Sequence, residues 1–128
     1  MIYVDASVAL AEILAEDRHP GADFWNNSLI SSRLLQYEVW TRLHAHRGGA
    51  AHTALARVVL GRVALAELSE DVLARALEPF PVAVRTLDAL HLATIEFLRG
   101  EGAAPHLATY DARMRDAAER LRIALYAW

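Results

Sequence analysis

Short apolar segments alternate with longer segments of helical periodicity, and this alternation restricts the fold of the chain more than any other feature. The short segments are apolar or alternate in polarity, and they predict strands. They are residues 2–5, 29–31, 63–68, 106–109 and 123–126, with 63–68 expected at a sheet edge. Because such alternation is typical of parallel sheets covered on both faces, we expect an α/β fold, a three-layer α/β/α sandwich around a central, mainly parallel sheet.

The predicted helices lie between these strands. They are residues 8–15, 20–27, 34–47, 51–60, 70–77, 86–99 and 111–121. In the first long helix, Leu35, Val39 and Leu43 recur at helical spacing, and two glycines follow its last turn. Ser7 precedes the first helix, where we expect its side chain to cap the helix N-terminus.

The length and composition favour one ordinary globular unit. A chain of 128 residues is typical of one hydrophobic core, so we expect a single domain over residues 1–128. The absence of cysteine excludes disulfides and thiolate metal sites. No apolar run reaches the roughly 18 residues that span a bilayer, and the first residues lack the pattern of a signal peptide. These features predict a cytoplasmic protein without a membrane segment.

The charge balance restricts how the chain could bind nucleic acid. The formal net charge is −3, and all 13 basic residues are arginine. Proteins that hold nucleic acid by charge attraction alone are usually basic. A nucleic-acid function would therefore depend on bound cations or on a local cluster of arginines.

Acidic residues occur where the predicted topology brings separate segments together. Asp5 ends the first strand and Asp111 follows the strand at 106–109, so we expect both at the carboxyl edge of the sheet, where open α/β sheets form their sites. Asp88 lies in the first turn of its helix, and Glu38 borders the apolar stripe of another helix. Crowded carboxylates either become protonated or share a cation, and oxygen-only ligands suit Mg²⁺ or Mn²⁺. The pattern predicts a metal site that activates water for phosphodiester cleavage.

Each acid also has a simpler explanation. Asp5 is suited to cap a turn, and Asp111 to cap the helix that follows it. Asp88 would interact favourably with the dipole of its helix, worth about 0.3–1 kcal/mol. Glu38 is spaced to pair with Arg42 one turn later, worth about 0.3–0.5 kcal/mol. Residue types and spacing alone leave both interpretations open.

Four segments of the chain resemble proteins of one family. The segments are IYVDASVALAEIL, LLQYEVWTRL, VRTLDALHLATIEFL and LATYDARMRDAAERL, in that order. Together they resemble PIN-domain proteins of the VapC toxin type over nearly the whole chain, and LDALHLAT is the most specific stretch. The resemblance implies a Mg²⁺- or Mn²⁺-dependent endoribonuclease that acts on RNA as the toxin of a toxin–antitoxin pair. It also implies a homodimer and a VapB-type antitoxin lying over the cleft.

The resemblance assigns roles to individual residues. Asp5, Glu38 and Asp88 match the three core acids of the family, and Asp111 matches its more variable fourth acid. Ser7 and Thr109 match small hydroxyl positions in the cleft, where they would hydrogen-bond a carboxylate or a metal-bound water. Because Asp116 lies five residues after Asp111 on a helix, its side chain should point elsewhere, which makes it the weaker candidate for that fourth position.

Two further side chains lie one helical turn from Asp88. We expect Arg85 either to contact a phosphate of the substrate or to remain solvated at the helix start. His91 is placed to reach the cleft, but we expect a packed, hydrogen-bonded histidine instead. His44, His46 and His52 flank the turn that contains two glycines, and we expect them at the surface.

Two alternative functions remain at this point. One is a phosphatase that uses Asp5 as its nucleophile, but such enzymes usually have a second acid two residues later, where this chain has Ser7. The other is a non-catalytic protein of the PIN fold that binds RNA or another protein. The presence of all four acids argues against this second alternative without excluding it.

Overall fold

The structure is a computed structural model that describes residues 1–128. Its sheet contains strands β1 (Ile2–Val4), β2 (Leu29–Ser32), β3 (Val63–Ala66) and β4 (His106–Ala108). The strand order is β3-β2-β1-β4, and all of the pairings are parallel. The prediction of a parallel sheet with 63–68 at its edge is therefore confirmed.

Helices connect and cover the strands. They are α1 (Ala6–Ile13), α2 (Leu34–Ala45), α3 (Ala50–Gly61), α4 (Glu70–Ala76), α5 (Thr86–Gly100) and α6 (Ala112–Arg120). A 3₁₀ helix, Ala22–Asn26, stands where the sequence predicted an α-helix at 20–27. No side chain caps the start of this 3₁₀ helix, and the backbone is extended on both sides of it, so the segment is too short for α-helical hydrogen bonding to continue. None of the helices has the length and hydrophobicity that a membrane crossing requires.

The side chains of β1 alternate between two cores. Ile2 and Val4 pack in a cluster with residues of α1, α2 and α3, whereas Tyr3 packs in a second cluster with residues of α5 and α6. This alternation follows from the two-residue repeat of a strand. It explains why β1 is buried throughout, and it confirms the three-layer arrangement.

Two further local predictions are wrong. Residues 123–126 do not form a strand, since only one bridge joins Leu125 to Leu107. Arg122 just before them has a left-handed backbone, with φ 57°, which turns the chain so that the segment contacts a single residue of β4. The cap of α1 is Asp5 rather than Ser7, because the helix begins directly after β1.

Candidate active site

Asp5 and Thr109 follow β1 and β4, which are neighbours in the sheet, and their side chains meet at its carboxyl edge. The hydroxyls of Thr109 and Ser7 each donate to Asp5 Oδ2 over 2.7 Å. Oδ1 of Asp5 accepts no hydrogen bond from the protein, although the residue is only 6% exposed. The hydroxyls thus fix the carboxylate and leave one oxygen for a ligand.

The same two hydroxyls tie the turn after β1 to the turn after β4. The backbone amide of Tyr110 donates to Ser7 Oγ over 3.0 Å, and the amide of Asp111 donates to Thr109 Oγ1 over 3.1 Å. Ser7 Oγ and Thr109 Oγ1 lie 3.3 Å apart. Asp111 is therefore held beside Asp5, although 106 positions separate them in the chain.

Arg85 bridges two further acids. Its Nε donates to Asp88 Oδ2 over 3.1 Å, and one terminal nitrogen donates to Asp111 Oδ2 over 2.8 Å. Asp111 also caps α6, because its Oδ1 accepts from the backbone amides of Arg113 and Met114. The hydrogen bond to Asp88 and the charges of both acids raise the pKa of Arg85 above its ordinary value. Since the Arg85 side chain is 61% exposed, solvent screens both ion pairs.

Glu38 contacts a buried histidine, and the alternative ion pair with Arg42 is not formed. The Nε2 atom of His91 lies 2.5 Å from Glu38 Oε1, and no ion pair joins Glu38 to Arg42. The Tyr3 hydroxyl lies 2.8 Å from His91 Nδ1 and accepts from the backbone amide of Ser32 over 3.1 Å. The packed, hydrogen-bonded histidine is thus confirmed, but it also reaches an acid of the cleft.

Three of the predicted acids act on the charge state of His91. Burial alone would lower its pKa, but the hydrogen bond to Glu38 and the charges of Glu38, Asp5 and Asp88 outweigh burial, so the pKa is raised. Carboxylates from three separate segments therefore act on one imidazole ring. Hydrogen bonds and charge link all four predicted acids in one region.

The PIN domain model matches residues 2–120 of the chain. The chain belongs to the PIN domain family. This PIN domain is 36% identical to Ribonuclease VapC46 of Mycobacterium tuberculosis over 132 residues, covering 98% of this chain and 96% of that protein. The crystal structure of M. tuberculosis VapC20, described as a sarcin-ricin loop cleaving toxin, matches the fold with a TM-score of 0.67. That match has 23% identity and covers 91% of this chain and 95% of the other.

The carboxylate oxygens of this PIN domain are the atom type that a divalent cation prefers, although their positions do not surround a cation. No group of three or more histidine or acidic side chains is placed to hold a metal ion by itself. The acids instead contact donors of the chain, which are Ser7 and Thr109 for Asp5, His91 for Glu38, and Arg85 for Asp88 and Asp111. Mg²⁺ commonly binds one or two carboxylates and keeps several waters. Four carboxylates, with the exposed Arg85 guanidinium beside two of them, suit such an ion.

Other candidate ligands lie outside this network of the PIN domain. Asp116 pairs with Arg120 on the exposed side of α6, and no hydrogen bond joins it to the other acids. His46 and His52 have ring centroids 5.4 Å apart, but no third donor joins them. His44 and His46 are exposed as predicted, whereas His52 is half-buried.

Tyr3 is the residue of this network that the sequence did not single out. It looked like an ordinary strand residue, because tyrosine is common in strands. Its hydroxyl is the one signal available, since a buried tyrosine in a short apolar strand needs a hydrogen-bond partner. The identity of that partner depends on how α5 packs against the sheet.

Proposed function

We propose that this PIN domain is a metal-dependent endoribonuclease and the toxin of a type II toxin–antitoxin pair. It is homologous to VapC ribonucleases, which in general depend on metal ions. The observation that carries the proposal is the set of four carboxylates that hydrogen bonds link to Ser7, Thr109, Arg85 and His91 at the carboxyl edge of the sheet. Asp5, Glu38, Asp88 and Asp111 would hold Mg²⁺ or Mn²⁺.

The chain's own residues prepare this site for a phosphodiester. Such an ion, when bound, supplies activation of water and neutralisation of phosphate charge. Ser7 and Thr109 keep Asp5 in one orientation by donating to Oδ2. The side chains supply no nucleophile of their own in this proposal, and the negative carboxylates are not expected to attract RNA without a cation.

Arg85 is the residue that we propose for substrate contact. Its guanidinium already lies against Asp88 and Asp111, so it borders the place where a phosphate would approach. A divalent cation held by the carboxylates would weaken their attraction for Arg85, and the planar guanidinium would then be able to bind phosphate oxygens. Its 61% exposure leaves it free to make this exchange.

The VapC homologues support an antitoxin partner and an RNA substrate. We propose a VapB-type antitoxin that places an arginine among the acids and lays a short segment in the adjacent apolar groove. That groove is lined by residues of α1, α2 and the start of α5, including Leu10, Leu34, Tyr37 and Leu87. We also propose a homodimer that acts in the cytoplasm, where RNA and antitoxin are available.

The experiment is RNA cleavage by the purified protein after EDTA treatment, with Mg²⁺ or Mn²⁺ then restored. Total bacterial RNA and single-stranded oligonucleotides serve as substrates. We expect cleavage only with metal, and none from Asp5→Asn, while Asp116→Asn cleaves like the wild type. Cleavage that persists in EDTA, or an active Asp5→Asn variant, would contradict the proposal.

The same assay separates the alternative functions. A phosphatase would release inorganic phosphate from small phosphate esters, but Ser7 stands where its second acid is required and donates to Asp5. A non-catalytic member of the fold would bind RNA without cutting it. Gel-shift binding in the absence of any cleavage, with both metals supplied, would favour that alternative.

A further inference from the structure

A line of buried polar groups runs from the sheet to Glu38. Tyr3 and His91 are 0% exposed, and Tyr3 packs among apolar residues of α5 and α6. The backbone amide of Ser32 can only donate, so the Tyr3 oxygen accepts its hydrogen. The Glu38 carboxylate can only accept, so in the neutral histidine the ring hydrogen lies on Nε2, facing Glu38, and the Tyr3 hydroxyl donates to Nδ1. A protonated ring also carries a hydrogen on Nε2, so Glu38 receives a hydrogen bond in either state.

Packing alone does not account for this line. Burying a hydroxyl and an imidazole is unfavourable unless each is hydrogen-bonded, and apolar side chains of similar size would fill the space without that cost. Leu92 and Ile95, the neighbours of His91 on α5, are apolar and equally buried. The polar pair therefore points to a requirement beyond the stability of the core.

Glu38 depends on a single partner, His91, whereas Asp5 and Asp111 each have more than one. Asp5 is held by two hydroxyls and Asp111 by two backbone amides, whereas His91 is the only group that hydrogen-bonds the Glu38 carboxylate. Glutamate has a long side chain with several rotamers, so it loses much conformational freedom when a site requires one geometry. His91, a single buried donor, restricts the Glu38 side chain to one geometry.

We propose that Tyr3 and His91 are positioning residues for Glu38. The line of hydrogen bonds holds Oε1 and leaves Oε2, which has no hydrogen-bond partner in the protein, for a divalent cation. The inference rests on the proposed function, because it takes Glu38 as a metal ligand. Groups that orient metal ligands commonly affect metal affinity by about 10–100-fold.

The test measures Mn²⁺ binding to the EDTA-treated full chain by titration calorimetry. In His91→Asn, the amide lies near the position of Nδ1, so it still meets Tyr3 but does not reach Glu38, and we expect Mn²⁺ to bind about 10–100-fold more weakly. His91→Gln places an amide near the position of Nε2, and we expect it to retain most of the affinity. Tyr3→Phe keeps the ring volume, and we expect a smaller loss than in His91→Asn.

A matched control separates positioning from general destabilisation. Ile95→Val removes one methylene group from a fully buried side chain one turn after His91, so it destabilises the same helix without touching the polar line. We expect a lower melting temperature with unchanged Mn²⁺ affinity. If Ile95→Val weakens Mn²⁺ binding as much as His91→Asn does, the polar line has no special role. Tyr3→Phe provides the decisive comparison should His91→Asn not fold.

Glu38→Gln distinguishes failure of the inference from failure of the metal site. We expect Glu38→Gln to weaken Mn²⁺ binding and the double variant with His91→Asn to weaken it no further, because both changes act through one carboxylate. Additive losses, or wild-type affinity in His91→Asn and Tyr3→Phe, would overturn the positioning role alone. If wild type binds no Mn²⁺, or Glu38→Gln binds it normally, the proposed function of Glu38 fails and this inference fails with it.

Discussion

Asp88→Asn is the substitution that best tells a metal ligand from a structural carboxylate. Without metal, it removes one ion pair to Arg85, a side chain that is 61% exposed, and solvent-exposed ion pairs add little stability. It also relieves repulsion among Asp88, Glu38 and Asp5, whose charges all act on His91. These opposing effects should nearly cancel. We expect the melting temperature of the metal-free protein to change by less than about 3 °C.

Wild type and Asp88→Asn should differ in melting temperature when metal is added. A ligand at 100 times its dissociation constant stabilises a folded protein by about 2.7 kcal/mol, which is roughly 10 °C for a domain of this size. We expect wild type to gain about this much with saturating Mn²⁺, and Asp88→Asn to gain little at the same concentration. Thermal unfolding followed by circular dichroism, with EDTA and then with Mn²⁺, measures both quantities.

Asp116→Asn is the matched control for this experiment. It removes the same charge and one surface ion pair, that with Arg120 on α6, and it leaves the cleft intact. We expect it to keep the full Mn²⁺-dependent rise. Two results would refute the reasoning: a loss of more than about 8 °C in metal-free Asp88→Asn, which would make the carboxylate structural, or an unchanged response of that variant to Mn²⁺.

Two further predictions concern substrate and toxicity. Arg85→Ala should lower kcat/KM for RNA about tenfold or more without weakening Mn²⁺ binding. Arg85→Lys should restore only part of kcat/KM, since an ammonium lacks the planar shape of a guanidinium. Steady-state cleavage measures kcat/KM, and calorimetry measures Mn²⁺ binding. Wild type expressed alone should arrest growth, and co-expression of the adjacent antitoxin should restore growth. Asp5→Ala should be harmless without antitoxin. Growth curves under induction test these outcomes, and growth arrest by Asp5→Ala would show that the metal site does not cause the toxicity.

The parallel sheet and the position of Asp5 and Asp111 could be predicted because they follow from local patterns. Strand–helix alternation determines a parallel sheet, and the carboxyl ends of parallel strands share one edge. The structure places Asp5 and Asp111 at that edge through the pairing of β1 with β4. No knowledge of side-chain packing was needed for this step.

The contacts of Glu38 could not be predicted in the same way. Glu38 and His91 are 53 positions apart, and they meet only because α2 and α5 pack at the same end of the sheet. Spacing along α2 offered only a local partner, Arg42, whereas the observed donor, His91, comes from another helix. Local propensity also failed at residues 123–126, where the left-handed Arg122 limits a strand-like segment to one bridge.

The position of Arg85 leads to a prediction about the antitoxin. Its guanidinium joins Asp88 to Asp111, which are two of the acids that an antitoxin arginine would have to reach. In the metal-free toxin, an incoming arginine must therefore displace Arg85 before it pairs with these carboxylates. Because of this competition, we expect Arg85→Ala to bind the antitoxin more tightly than wild type does.

The assay is calorimetry of the EDTA-treated toxin with the C-terminal peptide of the adjacent antitoxin and with an Arg→Ala version of that peptide. We expect Arg85→Ala to increase the affinity for the unchanged peptide several-fold and to leave the affinity for the Arg→Ala peptide unchanged. Only the unchanged peptide has an arginine that competes with Arg85 for the carboxylates. An equal gain for both peptides would mean that Arg85 merely obstructs the groove. No gain for either would mean that the antitoxin binds without entering between Asp88 and Asp111.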